Sequence, residues 1–131
     1  MELHHFISES VPQSVLNYVK GWTDRQAELV TSSMADDAVY IDKPHPLIPR
    51  AKMQHHLEQV AWSNFPDMTF DTLSLFGTEG YYAWEWALHA STCGIIVGDT
   101  SQRRIYCEGV DIMRLNAEGK IIQSVCHIDR K

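Results

Sequence analysis

The segment from Arg104 to Leu115 alternates with a period of two, and it constrains the fold of this 131-residue chain more than any other stretch. The residues that share one face are Ile105, Cys107, Gly109, Asp111, Met113 and Leu115. All of them are apolar or small except the aspartate, whereas the opposite face has charges at intervals. This pattern is typical of a β-strand with one face on the core and the other turned partly to solvent.

A second strand is predicted directly after this one. Asn116–Gly119 has the composition of a hairpin turn, and the chain is expected to return as a strand from Lys120 to Asp129. On the first strand Asp111 stands alone on an apolar face, where burying its anion would cost free energy. The carboxyl group is therefore solvated at a pocket mouth, hydrogen-bonded, or kept protonated by a raised pKa. Because active sites use the last two arrangements, Asp111 is the leading candidate for a functional residue.

Helices precede strands in the remainder of the chain. The apolar spacing predicts helices over residues 10–23, 25–34 and 50–63. Further strands are predicted over residues 38–42, 68–76 and 81–93. Between these elements we expect a turn at 35–37, a proline-rich loop without regular structure at 43–49, and a mobile connection at 94–102. Helices followed by antiparallel strands indicate an α+β fold, with the helices packed on one face of a curved sheet.

The composition is that of one globular domain over residues 1–131, because 44% hydrophobic residues suffice for a core. A formal charge of −6 argues against nucleic acid as a partner, since phosphate binding needs basic residues. There is no apolar run of 18 residues to predict a membrane span, and the first ten residues lack the pattern of a signal peptide. Three widely spaced cysteines, Cys93, Cys107 and Cys126, argue against a disulfide framework and favour a reducing, cytoplasmic location.

Aromatic residues of the predicted elements are candidates for a pocket wall as well as for the core, because in a curved sheet one inward face serves both. The residues predicted to contact a ligand are Trp22, His56, Trp62, Trp84, Trp86 and Met113. Such a wall indicates a flat, mostly apolar ligand. His56 adjoins the apolar stripe of its helix, where it is either an acid or base of the pocket or a solvated histidine.

Neither a metal site nor a cofactor is predicted. The adjacent histidine pairs, His4–His5 and His55–His56, would point about 100° apart on a helix, so neither pair could chelate an ion. The chain also lacks clustered Cys/His ligand spacing, a glycine-rich phosphate loop and a nucleophile motif.

Two motifs resemble those of the nuclear transport factor 2-like superfamily, within it the SnoaL-like (polyketide-cyclase-like) and ketosteroid-isomerase-like proteins. They are A-D-D-A-V-Y-I-D-K-P at residues 35–44 and G-V-D-I-M-R-L-N-A-E-G-K-I at residues 109–121. The resemblance extends over roughly residues 11–129. It implies a cone-shaped α+β roll, in which a strongly curved antiparallel sheet packs around the N-terminal helices and encloses an apolar pocket. It also implies a homodimer formed through the outer face of the sheet.

The resemblance further implies roles for three residues. Tyr18 is similar in position to a tyrosine of the ketosteroid isomerases, Asp42 to their general base, and Asp111 to their protonated aspartic acid. Asp42 would then take a proton from carbon, while Asp111 and Tyr18 would polarise the carbonyl oxygen. Many related cyclases and epoxide hydrolases have an acid where this chain has Cys126, so chemistry that depends on that acid is not expected here.

Two functional hypotheses follow. The first is an enzyme (isomerase, cyclase or dehydratase, lyase-like) that performs cofactor-independent acid/base chemistry on an apolar carbonyl compound such as a polyketide- or steroid-like substrate. The second is a non-catalytic module of the same fold that binds a small ligand or a partner protein. Substitution of Asp42 and Asp111 distinguishes the two hypotheses. If the protein is an enzyme, turnover would be lost with little loss of ligand affinity.

Overall fold

The computed structural model describes residues 6–8, 10–43, 45–91 and 104–129. The predictions for the first five residues, for Cys93 and for the connection at 94–102 lie outside the described residues. The helices are α1 (Gln13–Asp24), α2 (Ala27–Ser32), α3 (Arg50–His56) and α4 (Trp62–Asn64), with a π-helical turn, Leu57–Ala61, between the last two. Among the described residues no helix is long and apolar enough to cross a membrane.

The described strands form one curved, unclosed sheet. They are β1 (Phe6–Ile7), β2 (Met34–Asp42), β3 (Ile48–Pro49), β4 (Thr69–Thr78), β5 (Tyr81–Ser91), β6 (Arg104–Leu115) and β7 (Ile121–Asp129). Their order across the sheet is β1-β4-β5-β6-β7-β2-β3. Strands β4 to β7 form an antiparallel meander, whereas β2 pairs with β7 and β1 pairs with β4 in parallel. The predicted α+β class is confirmed, and the sheet is antiparallel except for these two pairs.

Strand β2 is longer than predicted and includes the residues assigned to a turn. Helix α2 ends at Ser32, and the next carbonyl, of Ser33, accepts a hydrogen bond from the Ile121 amide at 3.0 Å. This bond draws the chain into the sheet. The pairing with β7 then skips from Met34 to Val39, so the intervening acidic residues form a bulge instead of a turn.

The proline-rich segment also contains a strand that was not predicted. Ile48 and Pro49 pair in antiparallel fashion with Tyr40 and Val39. Because β3 is the edge strand, the missing amide hydrogen of the proline breaks no ladder. Helix α3 begins at the residue that follows Pro49.

Helix α1 packs its buried stripe of Val15, Tyr18 and Trp22 against the concave face of the sheet. Its C-cap is Arg25, whose backbone adopts a left-handed conformation with φ of 56°. The guanidinium group of Arg25 donates hydrogen bonds to the carbonyls of Phe65 and Met68, at 3.2 and 2.9 Å. The end of α1 is thereby tied to the segment that leads into β4.

Candidate functional site

The strand register places the candidate aspartates in one row. Asp111 on β6 is opposite Cys126 on β7, and Cys126 is opposite Asp42 on β2. On the other side of Asp111 the row continues to Trp84 on β5. Since neighbouring strands lie about 4.8 Å apart, Asp42 and Asp111 are roughly 10 Å from each other along this row.

Both carboxylate oxygens of Asp111 accept hydrogen bonds. The Tyr18 hydroxyl donates to Oδ2 at 2.8 Å, and the indole Nε1–H of Trp86 donates to Oδ1 at 3.1 Å. Only 2% of Asp111 is exposed, so these bonds replace water around the carboxyl group. The first sequence-based alternative, a carboxyl group solvated at a pocket mouth, is excluded, and a hydrogen-bonded one is found.

Burial raises the pKa of Asp111 from 3.8 to about 6. Hydrogen bonds from Tyr18, Trp86 and Cys126 oppose the rise because they stabilise the anion. The negative charge of Asp42 adds to it. The result is a buried carboxyl group that changes protonation state close to neutral pH, which is a property suited to proton transfer.

Tyr18 is held beneath Asp111 by a second contact. Its hydroxyl oxygen lies 2.9 Å from Oγ of the fully buried Ser124. Because Tyr18 donates its own hydrogen to Asp111, Ser124 must be the donor in this contact. Burial and the charge of Asp111 raise the pKa of Tyr18 well above 10, so the phenol stays protonated and continues to donate.

A partly open cavity of about 170 Å³ lies above the row of Asp111, Cys126 and Asp42. The aromatic side chains that line it are Trp22, Tyr40, His45, His56, Phe65, Phe70, Trp84 and Trp86. Aliphatic and other contributions come from Val60, Ala61, Asn64, Met68, Leu88 and Ile128. The two aspartates are the acidic residues of this wall, and no lysine or arginine lies among its described residues.

Most of the predicted site residues meet at this cavity. Asp42, Asp111, Trp22, Trp84 and Trp86 all line it. Tyr18 is fully buried behind the wall and reaches the site through its hydrogen bond to Asp111. The two aspartates therefore share the cavity wall, whereas Tyr18 lies behind it and is hydrogen-bonded to Asp111.

His56 also lines the cavity, close to Asp42 and His45. Its ring centroid lies 5.7 Å from that of Tyr40 and 6.5 Å from that of His45. Burial lowers the pKa of His56, and the neighbouring histidines lower it further, against the opposing charge of Asp42. The imidazole is thus neutral at pH 7, with one ring nitrogen that can donate a hydrogen bond and one that can accept it.

Two predicted contacts are corrected. Met113 lies on the inward face of β6 but is completely buried in the core and does not line the cavity. Trp62 packs edge-on against Trp22, with 6.3 Å between the ring centroids, and does not line the cavity either. Both are large apolar side chains of the kind expected in a pocket wall, but both are buried outside the cavity lining.

Sequence patterns missed several lining residues. Phe70 contacts Trp22, Trp84 and Trp86 at centroid distances of 5.9, 5.5 and 5.3 Å, so it is central to the aromatic wall. Its place on the strand after the 65–67 turn was a usable signal. His45 gave no such signal, because it lies in the irregular segment before β3.

The buried indole Nε1–H of Trp22 has no hydrogen-bond partner among the described residues, although it is near enough to Tyr18 to lower the pKa of that hydroxyl. A buried donor without an acceptor costs free energy. Among the described residues, no group of three His, Cys, Asp or Glu side chains is placed to hold a metal ion.

Comparison with solved structures shows the same fold in proteins of low sequence identity. A candidate SnoaL-like polyketide cyclase from Shewanella denitrificans superposes with a TM-score of 0.73 at 18% identity, covering 89% of this chain and 88% of that one. A candidate isomerase of the SnoaL-like family from Agrobacterium tumefaciens gives 0.66 at 22% identity, over 90% and 96%.

A protein with a ketosteroid-isomerase-like fold from Catenulispora acidiphila, in complex with trimethylamine, gives a TM-score of 0.73 at 12% identity, over 90% of this chain and 86% of that one. No curated protein is significantly similar to this chain in sequence. The family model of the SnoaL-like domain matches residues 15–124, which include both motifs' aspartates and the helix with Tyr18. The chain therefore belongs to the SnoaL-like domain family.

Proposed function

We propose that this protein is an enzyme that performs cofactor-independent acid/base chemistry on a small apolar carbonyl compound. The supporting observation is the buried Asp111, which has hydrogen bonds to both oxygens and borders an aromatic cavity. Removal of a proton from the carbon next to the carbonyl gives an enolate. Isomerisation, cyclisation and elimination of water can all start from that intermediate.

In this proposal Asp111 is the base, which reverses the role that the resemblance implied for it. Tyr18 and Trp86 both donate to the carboxyl group, and donors stabilise the anion rather than the neutral acid. A neutral Asp111 would instead have to direct its own hydrogen into the cavity. Tyr18 is then a positioning residue, since it does not line the cavity and acts through Asp111.

The developing negative charge on the substrate oxygen needs a donor. The unpaired Nε1–H of Trp22 is the candidate, because it is buried and its ring lines the same cavity. Asp111 holds the proton once the enolate has formed, and it would return that proton to a second position of the substrate, while Asp42 and the neutral His56 line the other end of the same cavity. One carboxyl group that takes the proton and then returns it is sufficient for an isomerisation.

The cavity volume limits the substrate. An apolar cavity of about 150 Å³ accommodates a benzene-sized molecule, so about 170 Å³ accommodates roughly one ring. A polyketide- or steroid-like substrate would have to extend through the open side. Small-ligand binding within this fold is supported by the trimethylamine complex of the Catenulispora protein.

The test is exchange of the protons next to the carbonyl of cyclohexanone and 3-cyclohexenone in D₂O, followed by ¹H NMR. Wild-type protein should accelerate the exchange, and Asp111→Asn should lower the rate by about 100-fold or more. Asp24→Asn, which removes an exposed charge on α1, is the matched control and should exchange at the wild-type rate. Full exchange activity in Asp111→Asn would refute the assignment of the base.

The alternative function is a non-catalytic ligand-binding module. It would be supported if ketones bind, as seen by shifted indole signals, while exchange stays at the background rate in wild-type protein. A reducing, cytoplasmic setting belongs to the proposal as well, since neither cysteine of the described residues, Cys107 or Cys126, is in a disulfide.

A homodimer through the outer face of the sheet is also proposed. An apolar row crosses this face from β4 to β2, through the paired residues Phe76, Ala83, Ile112, Val125 and Ile41. Phe76 and Ile112 are 45% and 38% exposed, which is unusual for large apolar side chains in a continuous row. Ile112→Lys should therefore convert a dimer to a monomer in analytical ultracentrifugation. A wild-type monomer at high micromolar concentration would exclude the dimer.

A further inference from the structure

The described residues of the cavity wall include acidic side chains but no lysine or arginine. Its described residues include the carboxyl groups of Asp42 and Asp111 and no basic side chain other than two histidines. Burial lowers the pKa of His56, so that this imidazole is not a source of positive charge at neutral pH. An anionic ligand would meet repulsion in such a cavity, and a cation would meet attraction.

Among the described residues Asp111 has no cationic partner, although it is buried. The ion pairs among the described residues involve Asp24, Asp36 and Asp71, all of them elsewhere in the molecule. The hydrogen bonds to Asp111 come from neutral donors, Tyr18, Trp86 and Cys126. Proteins normally pair a buried charge, and here the open side of the carboxyl group faces the cavity, where a ligand could provide the opposite charge.

The remaining wall is built from aromatic rings in mutual contact. Phe70 lies within 6 Å of the ring centroids of Trp22, Trp84 and Trp86, and Trp22 lies 5.8 Å from Tyr40. Rings of this kind attract ammonium groups through their electron-rich faces, and tryptophan does so most strongly. The volume of about 170 Å³ suits a trimethylammonium group with a short chain.

We propose that this cavity binds small alkylammonium cations, and binds them more tightly than neutral molecules of the same shape. The inference shares its cavity with the proposed function but does not depend on catalysis. Such a cation would occupy the position of the carbonyl ligand and would compete with it. The two ligand classes differ in charge, so one matched pair of compounds tests the inference.

The pair is choline and its uncharged carbon isostere, 3,3-dimethylbutan-1-ol, titrated into wild-type protein at pH 8 by calorimetry. The indole N–H signals in ¹H–¹⁵N spectra locate the binding, since Trp22, Trp84 and Trp86 line the cavity and Trp62 does not. We expect choline to bind about tenfold more tightly than the alcohol. Equal affinities, a preference for the alcohol, or no binding of choline at 50 mM would each overturn the inference.

Substitutions in the cavity then show which side chains cause the preference for choline over the alcohol. Asp111→Asn should remove most of the advantage of choline while leaving the alcohol within about twofold, and Asp24→Asn should change neither affinity. Phe70→Leu, which keeps the charge but removes a ring, should reduce the preference in part. If both cavity variants retain the full wild-type preference, the inference is wrong. Choline binding without proton exchange would refute the proposed function alone, and exchange without choline binding would refute this inference alone.

Discussion

The indole Nε1–H of Trp86 on β5 donates a hydrogen bond to Oδ1 of Asp111 on β6, over 3.1 Å. Trp86 is opposite Gly109 on β6, and Gly109 precedes Asp111 by two residues on that strand. The ring thus lies over the glycine and reaches the carboxyl group from the side. One aromatic residue both lines the cavity and fixes the orientation of the proposed base.

Trp86→Phe should raise the pKa of Asp111, because the anion loses one of its donors while the ring is kept. We expect a rise of about one unit, the equivalent of a hydrogen bond worth about 1.4 kcal/mol. The measurement is a ¹³C NMR titration of the Asp111 carboxyl group. Trp84→Phe is the matched control, since the Trp84 indole donates to Thr72 and not to Asp111. An unchanged titration in Trp86→Phe would show that this hydrogen bond does not stabilise the anion.

Tyr18→Phe removes the second donor and leaves the hydroxyl of Ser124 buried without its partner. The free energy of unfolding should fall by about 1–3 kcal/mol, measured by urea denaturation. Exchange activity should fall because Asp111 is less well held, whereas ketone affinity should stay near the wild-type value, since Tyr18 does not line the cavity. A large loss of affinity with normal exchange would instead place Tyr18 in contact with the ligand.

Gly109→Ala should displace the Trp86 ring. A Cβ atom at this position would lie 2.5 Å from two ring carbons of Trp86 and 2.6 Å from the carbonyl oxygen of His127. Backbone cannot retreat easily within the sheet, so we expect a loss of about 1–3 kcal/mol in stability and a shifted Trp86 indole signal. Wild-type stability together with an unshifted signal would contradict the close packing of this pair.

The raised pKa of Asp111 has a consequence for stability. The folded protein holds this proton up to about pH 6, whereas the unfolded chain releases it near pH 4. The stability that the raised pKa provides is therefore complete below pH 4 and is lost as the pH rises through 6. A shift of about two units corresponds to about 3 kcal/mol.

Asp111→Asn lacks this titration, so its stability relative to wild type should increase by about 3 kcal/mol between pH 4 and pH 7. Urea denaturation of both proteins at several pH values provides the comparison. The lowered pKa of His56 acts in the opposite direction, but it is present in both proteins and largely cancels in the difference. A constant difference across this range would show that the pKa of Asp111 is not raised.

The sequence was sufficient to place Asp111 and to predict its side of the sheet. The reason is that a single acid on an alternating apolar strand is a strong local pattern, and the structure has Asp111 and Met113 buried and Ile112 exposed as the alternation requires. The family resemblance then implied the fold and pointed to Tyr18 and Asp42 as further site residues.

Contacts that depend on register or on layer depth could not be predicted in the same way. Cys126 lies between the two aspartates because β2 pairs in parallel with β7. The register of that pairing depends on a bulge in the segment at 35–37, for which the sequence predicted a turn. Trp22 and Trp62 are both buried tryptophans on helices, yet Trp22 lines the cavity and Trp62 does not. The difference is set by how the helices pack, which local periodicity does not encode.

The central claim is that Asp111 acts as a base in its ionised form. The most direct measurement is the pH dependence of kcat/KM for proton exchange of cyclohexanone in D₂O, between pH 4.5 and 8, with Asp111→Asn and Asp24→Asn in parallel. We expect the wild-type and Asp24→Asn rates to rise with pH and to level off above a midpoint near 6, and Asp111→Asn to stay near background. A rate that falls as the pH rises through 6 would mean that neutral Asp111 is the active form and would contradict the account.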